Sequence, residues 1–404
     1  MPLYESISSL TLHDEKHTTV IFDFGSAYTK VGFAGETGPR AIVASVVECP
    51  DTGNNVPVFE SSDPQILRRR ITLFILKIYI RCLLVNPKER RIVVVENLLG
   101  SSIIKETIAC VLFRHFEMVS VSFVPSHLVA LLTLGVETGL VVDIGYSEAS
   151  VIPVFGGVAI LNAWQALPLG AKAMQMSLKA LLEERSSVIG EDGEATSLQD
   201  SDLQLLTSQR LEDILVRCCF VSTPERSERL HQNKADRSNE PPPPPPDVLY
   251  PLSGERTLKI SGTVREMAAE VLFETDADNL CLPSIILDAI NKCPVDVRRE
   301  MTANLVVVGG TAAMLGLKKR LLQELRLQST RGDMAPYTFK LHKPPVPDNC
   351  VTWLGGCLLG STEAGLAPRS VTREQYLAAC KSNAPMPDWS SLVYNTQHDP
   401  RAPA

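Results

Sequence analysis

Three short segments of the 404-residue chain gather carboxylate, glycine and small polar groups in a way that suits phosphate chemistry. The first is Asp23-Phe24-Gly25-Ser26, which follows an apolar run and is followed by Lys30. A glycine turn there would present backbone N–H groups to an anion, and the nearby carboxylate could hold a hydrated Mg²⁺. Ser26 would add a hydroxyl donor and Lys30 a counter-charge. The second segment is Asp143-Ile144-Gly145 and the third Gly309-Gly310-Thr311, each again at the end of an apolar run. A single Asp-x-Gly turn is a common structural hairpin, so one competing reading keeps all of these residues as tight turns only. Their recurrence at equivalent places is the stronger signal.

The elements that must position these groups repeat. Thr19–Gly35 and Leu140–Gly157 share one pattern: apolar run, Asp-x-Gly, polar stretch, second apolar run ending at Gly. That reads as strand, turn, strand. Helical spacing is expected over Ile103–Phe116, Ser126–Leu134, Ala171–Glu184, Leu203–Val221, Val264–Phe273, Ser284–Lys292 and Met314–Leu327. Strands alternating with such helices indicate an α/β architecture, and the duplicated hairpin suggests two similar lobes facing one another across a nucleotide. The clearest interruption is Ser186–Pro246, which ends in the six prolines Pro241–Pro246. Without N–H groups to donate, that run is expected to be a stiff polyproline II spacer outside any sheet. A solvated surface insertion and a ligand for SH3 or WW modules are its two readings.

Composition excludes several classes. With 39 Lys+Arg against 46 Asp+Glu, the net charge of −7 argues against non-specific nucleic-acid binding. The ten cysteines form no C-x-x-C pair and have no His at zinc-ligand spacing, so no metal site and reduced thiols are expected. The most apolar stretches, Ile71–Val85 and Val119–Val142, are broken by Lys77 and Arg81, and by Pro125, His127 and Glu137. Neither is a convincing membrane span, and the N-terminus has no secretory-signal pattern.

Longer blocks carry a specific resemblance. GFAGETGPRA at Gly32–Ala41, CPVDVRREMTANLVVVGGT at Cys293–Thr311 and VTWLGG at Val351–Gly356 resemble, in order, segments of actin and the actin-related proteins. The resemblance implies an actin-like ATPase fold of two lobes, each with a duplicated α/β core and a peripheral subdomain. Residues 1–44, 59–133 and 351–404 would form the small-lobe core and 45–58 its shortened tip. Residues 134–169 and 280–350 would form the large-lobe core, and 170–279 its tip with the proline-bearing insertion. It implies ATP or ADP with Mg²⁺ held structurally by Asp23, Gly25, Ser26, Lys30, Asp143, Gly145, Gly309, Gly310 and Thr311.

Departures from the family pattern bear on catalysis. The family's water-orienting glutamine falls at Ser126 and its assisting histidine at Ser150; both are shorter, poorer proton acceptors, so hydrolysis is not expected. The second turn becomes Asp143-Ile144-Gly145-Tyr146-Ser147, one acid and one glycine short of the family's. Around the nucleoside, Leu215 and Val216 replace a Lys-Glu pair, Met314 an aromatic residue and Asn349 a lysine. The stretch between Ala44 and Arg68 is too short for the loop by which polymerising actin grips its neighbour; its two readings are harmless trimming of a surface loop and, favoured by filament geometry, a filament cap that is not a self-polymer.

Shorter blocks, among them LLVNPKERR at Leu83–Arg91 and PSHLVALLTLG at Pro125–Gly135, resemble the actin-related proteins of dynactin. That implies the actin-related protein 1 (centractin) filament and dynactin subunits 4, 5 and 6 as partners, dynein indirectly, and a place in the cytoplasm and cytoskeleton. Val351–Gly365 and Ile103–Phe116 are candidates for the filament contact, although Ile103, Ile104, Ile108, Leu112 and Phe113 are expected to be mostly core. A nuclear actin-related subunit of a chromatin remodeller and an ATP-hydrolysing enzyme of the same fold, such as a sugar kinase, are the alternatives.

Overall fold

The computed structural model describes residues 19–49, 53–97, 100–190, 194–235, 242–254, 256–331, 337–382 and 389. The chain divides into two compact units. One comprises residues 1–137, 156–158 and 344–404, the other residues 138–155 and 159–343.

The first unit is built on a mixed sheet. Strands β1 (Val20–Phe24) and β2 (Tyr28–Phe33) form an antiparallel hairpin, and β3 (Ala41–Ala44) pairs with β2. Beyond β3, the two-stranded ribbon β4 (Val46–Glu48) and β5 (Asn55–Pro57) precedes the helix Pro64–Ile78. On its other edge β1 runs parallel to β6 (Arg91–Glu96), which runs parallel to β7 (Ser120–Pro125). The interior strands read as continuous apolar runs because both faces are covered. Helix Val351–Gly360 covers one face, where Gly356 and Gly360 let it approach Val95 and Ile21, with Trp353 fully buried. Helix Pro64–Ile78 buries Leu67, Ile71, Phe74, Ile75 and Ile78 in the unit's other core, so the apolar stretch weighed as a membrane span is a core helix. Among the described residues no helix is long and apolar enough to cross a membrane.

The helix at Ser102–Cys110 continues as a π turn to His115; Ile108, Leu112 and Phe113 are buried, whereas Ile104 is half-buried and Ile103 is 52% exposed. Most of the five are thus core, as expected, and Ile103 is the one on the outer side of the first turn.

The second unit repeats the plan. Strands β8 (Gly139–Ile144) and β9 (Ala149–Phe155) form a hairpin, and β8 runs parallel to the strand Leu305–Val308. The duplication holds at the level of register: Asp23 faces Lys30 across the first hairpin, and Asp143 faces Ser150 across the second. A four-stranded antiparallel sheet, Ala195–Ser197, Ser187–Ile189, Arg256–Ile260 and Val248–Ser253 in spatial order, forms the outlying part of this unit. Pro242–Pro246 lie outside it, while Pro241 falls outside the described residues.

The single helix expected over Leu203–Val221 is two. Asp200–Leu205 ends at Leu206, and Ser208–Cys218 starts afresh with Thr207 as its N-cap, whose hydroxyl accepts from the Arg210 amide. The Thr-Ser pair breaks the helix because a hydroxyl side chain offers the backbone a competing partner. Likewise, the helix expected over Val264–Phe273 is Gly262–Met267 followed by a separate 3₁₀ turn, Glu270–Leu272.

Candidate functional site: two Asp-x-Gly turns

In the first unit, Asp23 lies at the end of β1 and is 8% exposed. Its cross-strand neighbour Lys30 donates from Nζ to Oδ2 at 2.9 Å, and Thr352 Oγ1, at the start of helix Val351–Gly360, donates to the same oxygen at 2.8 Å. The turn is closed by Gly25, whose N–H donates to the Tyr28 carbonyl. A Cβ on Gly25 would stand 2.6 Å from that carbonyl oxygen, so only glycine permits the closure. Ser45 Oγ donates to the Gly25 carbonyl at 2.7 Å and meets the Thr29 hydroxyl at 2.9 Å, bracing the turn from β3. Cys350, buried beside Asp23 and Lys30, has its thiol pKa pushed up by burial. The structure thus brings together Asp23, Gly25 and Lys30 with Ser26 in the turn, and adds Thr352 and Ser45. Those two escaped the sequence because they lie 329 and 20 residues away from the groups they bind.

In the second unit, the Gly145 N–H donates to the Glu148 carbonyl, the same closure one repeat later. The parallel pairing of β8 with Leu305–Val308 sets Asp143 opposite Val308, so the third glycine turn emerges beside the second. Thr311 Oγ1 donates to the Gly145 carbonyl at 2.8 Å. Gly309 has φ of +101°, and a Cβ there would stand 2.3 Å from the Ile144 oxygen and 2.7 Å from Asp143 Oδ1. The amides of Ala171 and Lys172, which open the helix Ala171–Arg185, donate to the carbonyls of Gly145 and Tyr146. Asp143, Gly145, Gly309, Gly310 and Thr311 thus form one constellation. Gly310 differs from its neighbour: a Cβ there would meet nothing within 4 Å.

The substituted positions are equally defined. Ser126 opens the helix Ser126–Leu132 and Ser150 is the cross-strand partner of Asp143; they are 9% and 3% exposed. Leu215 is part of the second unit's core and Met314 packs against it, whereas Val216 is 77% exposed. Leu215 thus contributes packing where the family pattern has a charge.

The first turn offers a carboxylate, a lysine and a hydroxyl, and the second a carboxylate and a hydroxyl beside the third glycine turn, groups that suit a phosphate and its cation, while the Gly25 and Gly145 amides are themselves taken by the Tyr28 and Glu148 carbonyls. Among the described residues no three His, Cys, Asp or Glu side chains group as a self-sufficient metal site, and all ten cysteines are free thiols.

His127, next to Ser126, gave no sign in the sequence of what it does. It is 1% exposed, and neither ring nitrogen has a hydrogen-bond partner among the described residues. Burial lowers its pKa from 6.5 to about 4. Below 6.5 the unfolded chain takes a proton that the folded chain refuses, so this residue lowers stability progressively down to about 4. Lowering the pH across that interval is expected to cost about 3 kcal/mol through this group. Unfolding free energies from urea titrations of the native protein and His127→Leu should agree within about 1 kcal/mol at pH 7 and diverge in the variant's favour towards pH 4. A gap that does not change with pH would refute the assignment.

Comparison with known proteins follows the same lines. The family model described as Actin matches residues 71–380, a span that holds the second and third turns together with Ser126 and Ser150. Actin-related protein 10 of Dictyostelium discoideum is 26% identical over 445 aligned residues, covering 94% of this chain and 90% of that protein.

Proposed function

The chain belongs to the actin family, and from that premise we propose that it is a non-catalytic scaffold subunit of dynactin. In this reading it caps the pointed end of the actin-related protein 1 filament, carries dynactin subunits 4, 5 and 6, and so supports dynein-driven transport in the cytoplasm. Its similarity to an actin-related protein 10 supports that branch of the family. The observation that carries the cap is the tip of the first unit. Among the described residues between Ala44 and Pro64, the regular structure consists of the two three-residue strands β4 and β5. A subunit so trimmed can rest on a filament end while offering the next subunit no loop to hold. We assign the four subdomains at the boundaries expected from the sequence.

Purified protein should stay in the supernatant under conditions that pellet actin filaments, and should lower the end-growth rate of actin-related protein 1 filaments at substoichiometric amounts. Self-assembly into pelletable filaments would overturn the cap. A native pull-down that returned remodeller subunits in place of dynactin would overturn the branch.

The nucleotide is structural in this proposal. Asp23, Gly25, Ser26, Lys30, Asp143, Gly145, Gly309, Gly310 and Thr311 are the residues that would hold its phosphates and Mg²⁺. Binding to the folded state alone stabilises it by about 2.7 kcal/mol at a hundred times Kd. Denatured protein should therefore release ATP or ADP. Turnover should stay at background, because Ser126 and Ser150 carry only short hydroxyls. A working acid–base group contributes about 10²–10⁴-fold. The pair Ser126→Gln with Ser150→His should nonetheless gain less than ~10-fold, since the acid and glycine lost at Tyr146 and Ser147 also matter. Robust turnover by the native chain would refute the non-catalytic reading.

A further inference from the structure

The proline run is pinned, and the way it is pinned has a period. Arg226 Nη2 donates to the Pro243 carbonyl at 2.8 Å and Arg265 Nη1 to the Pro246 carbonyl at 2.6 Å. Three residues separate the two acceptors, which is the repeat of a polyproline II helix. Burial follows the same period: Pro242, Pro245 and Val248 are half-buried, whereas Pro243, Pro244, Pro246 and Asp247 are exposed. Between the two clamps the chain passes so close to Gly262 that a Cβ there would stand 1.7 Å from the Pro245 carbonyl oxygen. The Gly262 N–H donates to Asp247 Oδ1 at 3.0 Å and closes the seat.

Both clamps are anchored. Arg226 grips the fully buried Glu266 through Nε and Nη2. Arg265 Nε donates to the Cys218 carbonyl at 2.7 Å, and its guanidinium lies over the Phe220 ring. A solvated spacer requires none of this, because water satisfies its carbonyls. Holding one edge of the three-sided helix leaves the other two outward, and Leu249, 61% exposed, extends that apolar ridge. Aromatic grooves that read proline runs exploit such a preformed helix and avoid the entropy of ordering it.

We propose that Pro242–Pro246 is a displayed recognition ridge for a partner protein with an aromatic-lined groove, which reads its exposed rings. The flanking charges do not set the sign of the groove's rim, because Arg226 is matched by Glu266 and Asp247 is ion-paired with Lys259 at 3.2 Å. Grooves of the EVH1 and SH3 kinds both read such a helix.

The test titrates the full-length protein into an EVH1 domain and, in parallel, into an SH3 domain, following the fluorescence of the groove tryptophan. Saturable binding is expected in at least one of the two titrations. Pro243→Ser with Pro244→Ser and Pro246→Ser removes exposed rings while keeping the clamped carbonyls and Pro245, and should weaken binding at least tenfold. Asp247→Asn keeps the acceptor for Gly262 and, its charge being already matched by Lys259, should change binding less than twofold. Arg265→Ala leaves every ring in place but frees one end of the run, and should weaken binding severalfold. Circular dichroism and melting curves identify any variant that has failed to fold, and the native titration stands without them. Absence of saturation with the native protein in both titrations, or equal binding by the triple variant when folded, would each overturn the proposal.

Discussion

Gly309→Ala is expected to destabilise the protein by about 3–5 kcal/mol, the sum of a conformational and a steric cost. At φ of +101° an alanine is strained whatever surrounds it, by roughly 1–2 kcal/mol. Its methyl would also stand 2.3 Å from the Ile144 carbonyl oxygen and 2.7 Å from Asp143 Oδ1. Neither neighbour yields cheaply, because Ile144 is the last residue of β8 and Asp143 is locked in register with Ser150 and Val308. Relief would therefore displace the second turn, and nucleotide release on denaturation should fall together with the denaturant midpoint. Gly310→Ala is the matched control: no atom lies within 4 Å of its Cβ and its φ is −65°, so it should change the unfolding free energy by less than ~1 kcal/mol. Equal effects at the two positions would remove the steric argument.

Arg320→Met should cost a similar amount, about 3–5 kcal/mol, by a different route. Arg320 and Glu270 are both almost completely buried in the second unit. Arg320 donates from Nη1 to the Ser222 carbonyl at 2.9 Å and faces Glu270 through both terminal nitrogens, while Nε binds Glu324. The Ser227 hydroxyl donates to Glu270 Oε2 at 2.5 Å. Removing the cation takes from the buried Glu270 carboxylate the guanidinium that faces it through both terminal nitrogens. The loss is therefore mostly the penalty of a buried charge deprived of this counter-charge. Adding Glu270→Gln to Arg320→Met should recover at least ~1 kcal/mol, a coupling readable in a double-mutant cycle of unfolding free energies. Additive losses would mean that the two groups do not act as a pair.

The two Asp-x-Gly hairpins were legible because their information is local: an apolar run, an acid, a glycine and a second apolar run describe a turn wherever they occur. Even the equivalence of the hairpins followed from spacing. Thr352 on Asp23, and the cluster of Arg226, Glu266, Glu270 and Arg320, were invisible for the opposite reason. Their partners are separated by tens to hundreds of residues, and nothing near either partner marks the other. The proline run was half legible. Its missing N–H groups exclude it from the sheet, but the arginines that hold its carbonyls lie 17 and 19 residues away. The break at Leu206 was present in the sequence as Thr207-Ser208, but apolar spacing on both sides outweighed it.

The shared register of the two hairpins has a consequence of its own. Asp23 and Asp143 stand at the same place in the same pairing pattern, one facing an ammonium and the other a hydroxyl. Evolution has left a matched pair of samples in one molecule, with the backbone held constant and the opposing side chain varied. Exchanging the residues at 30 and 150 would therefore separate what the turn contributes from what the cation contributes, each hairpin serving as the reference for the other.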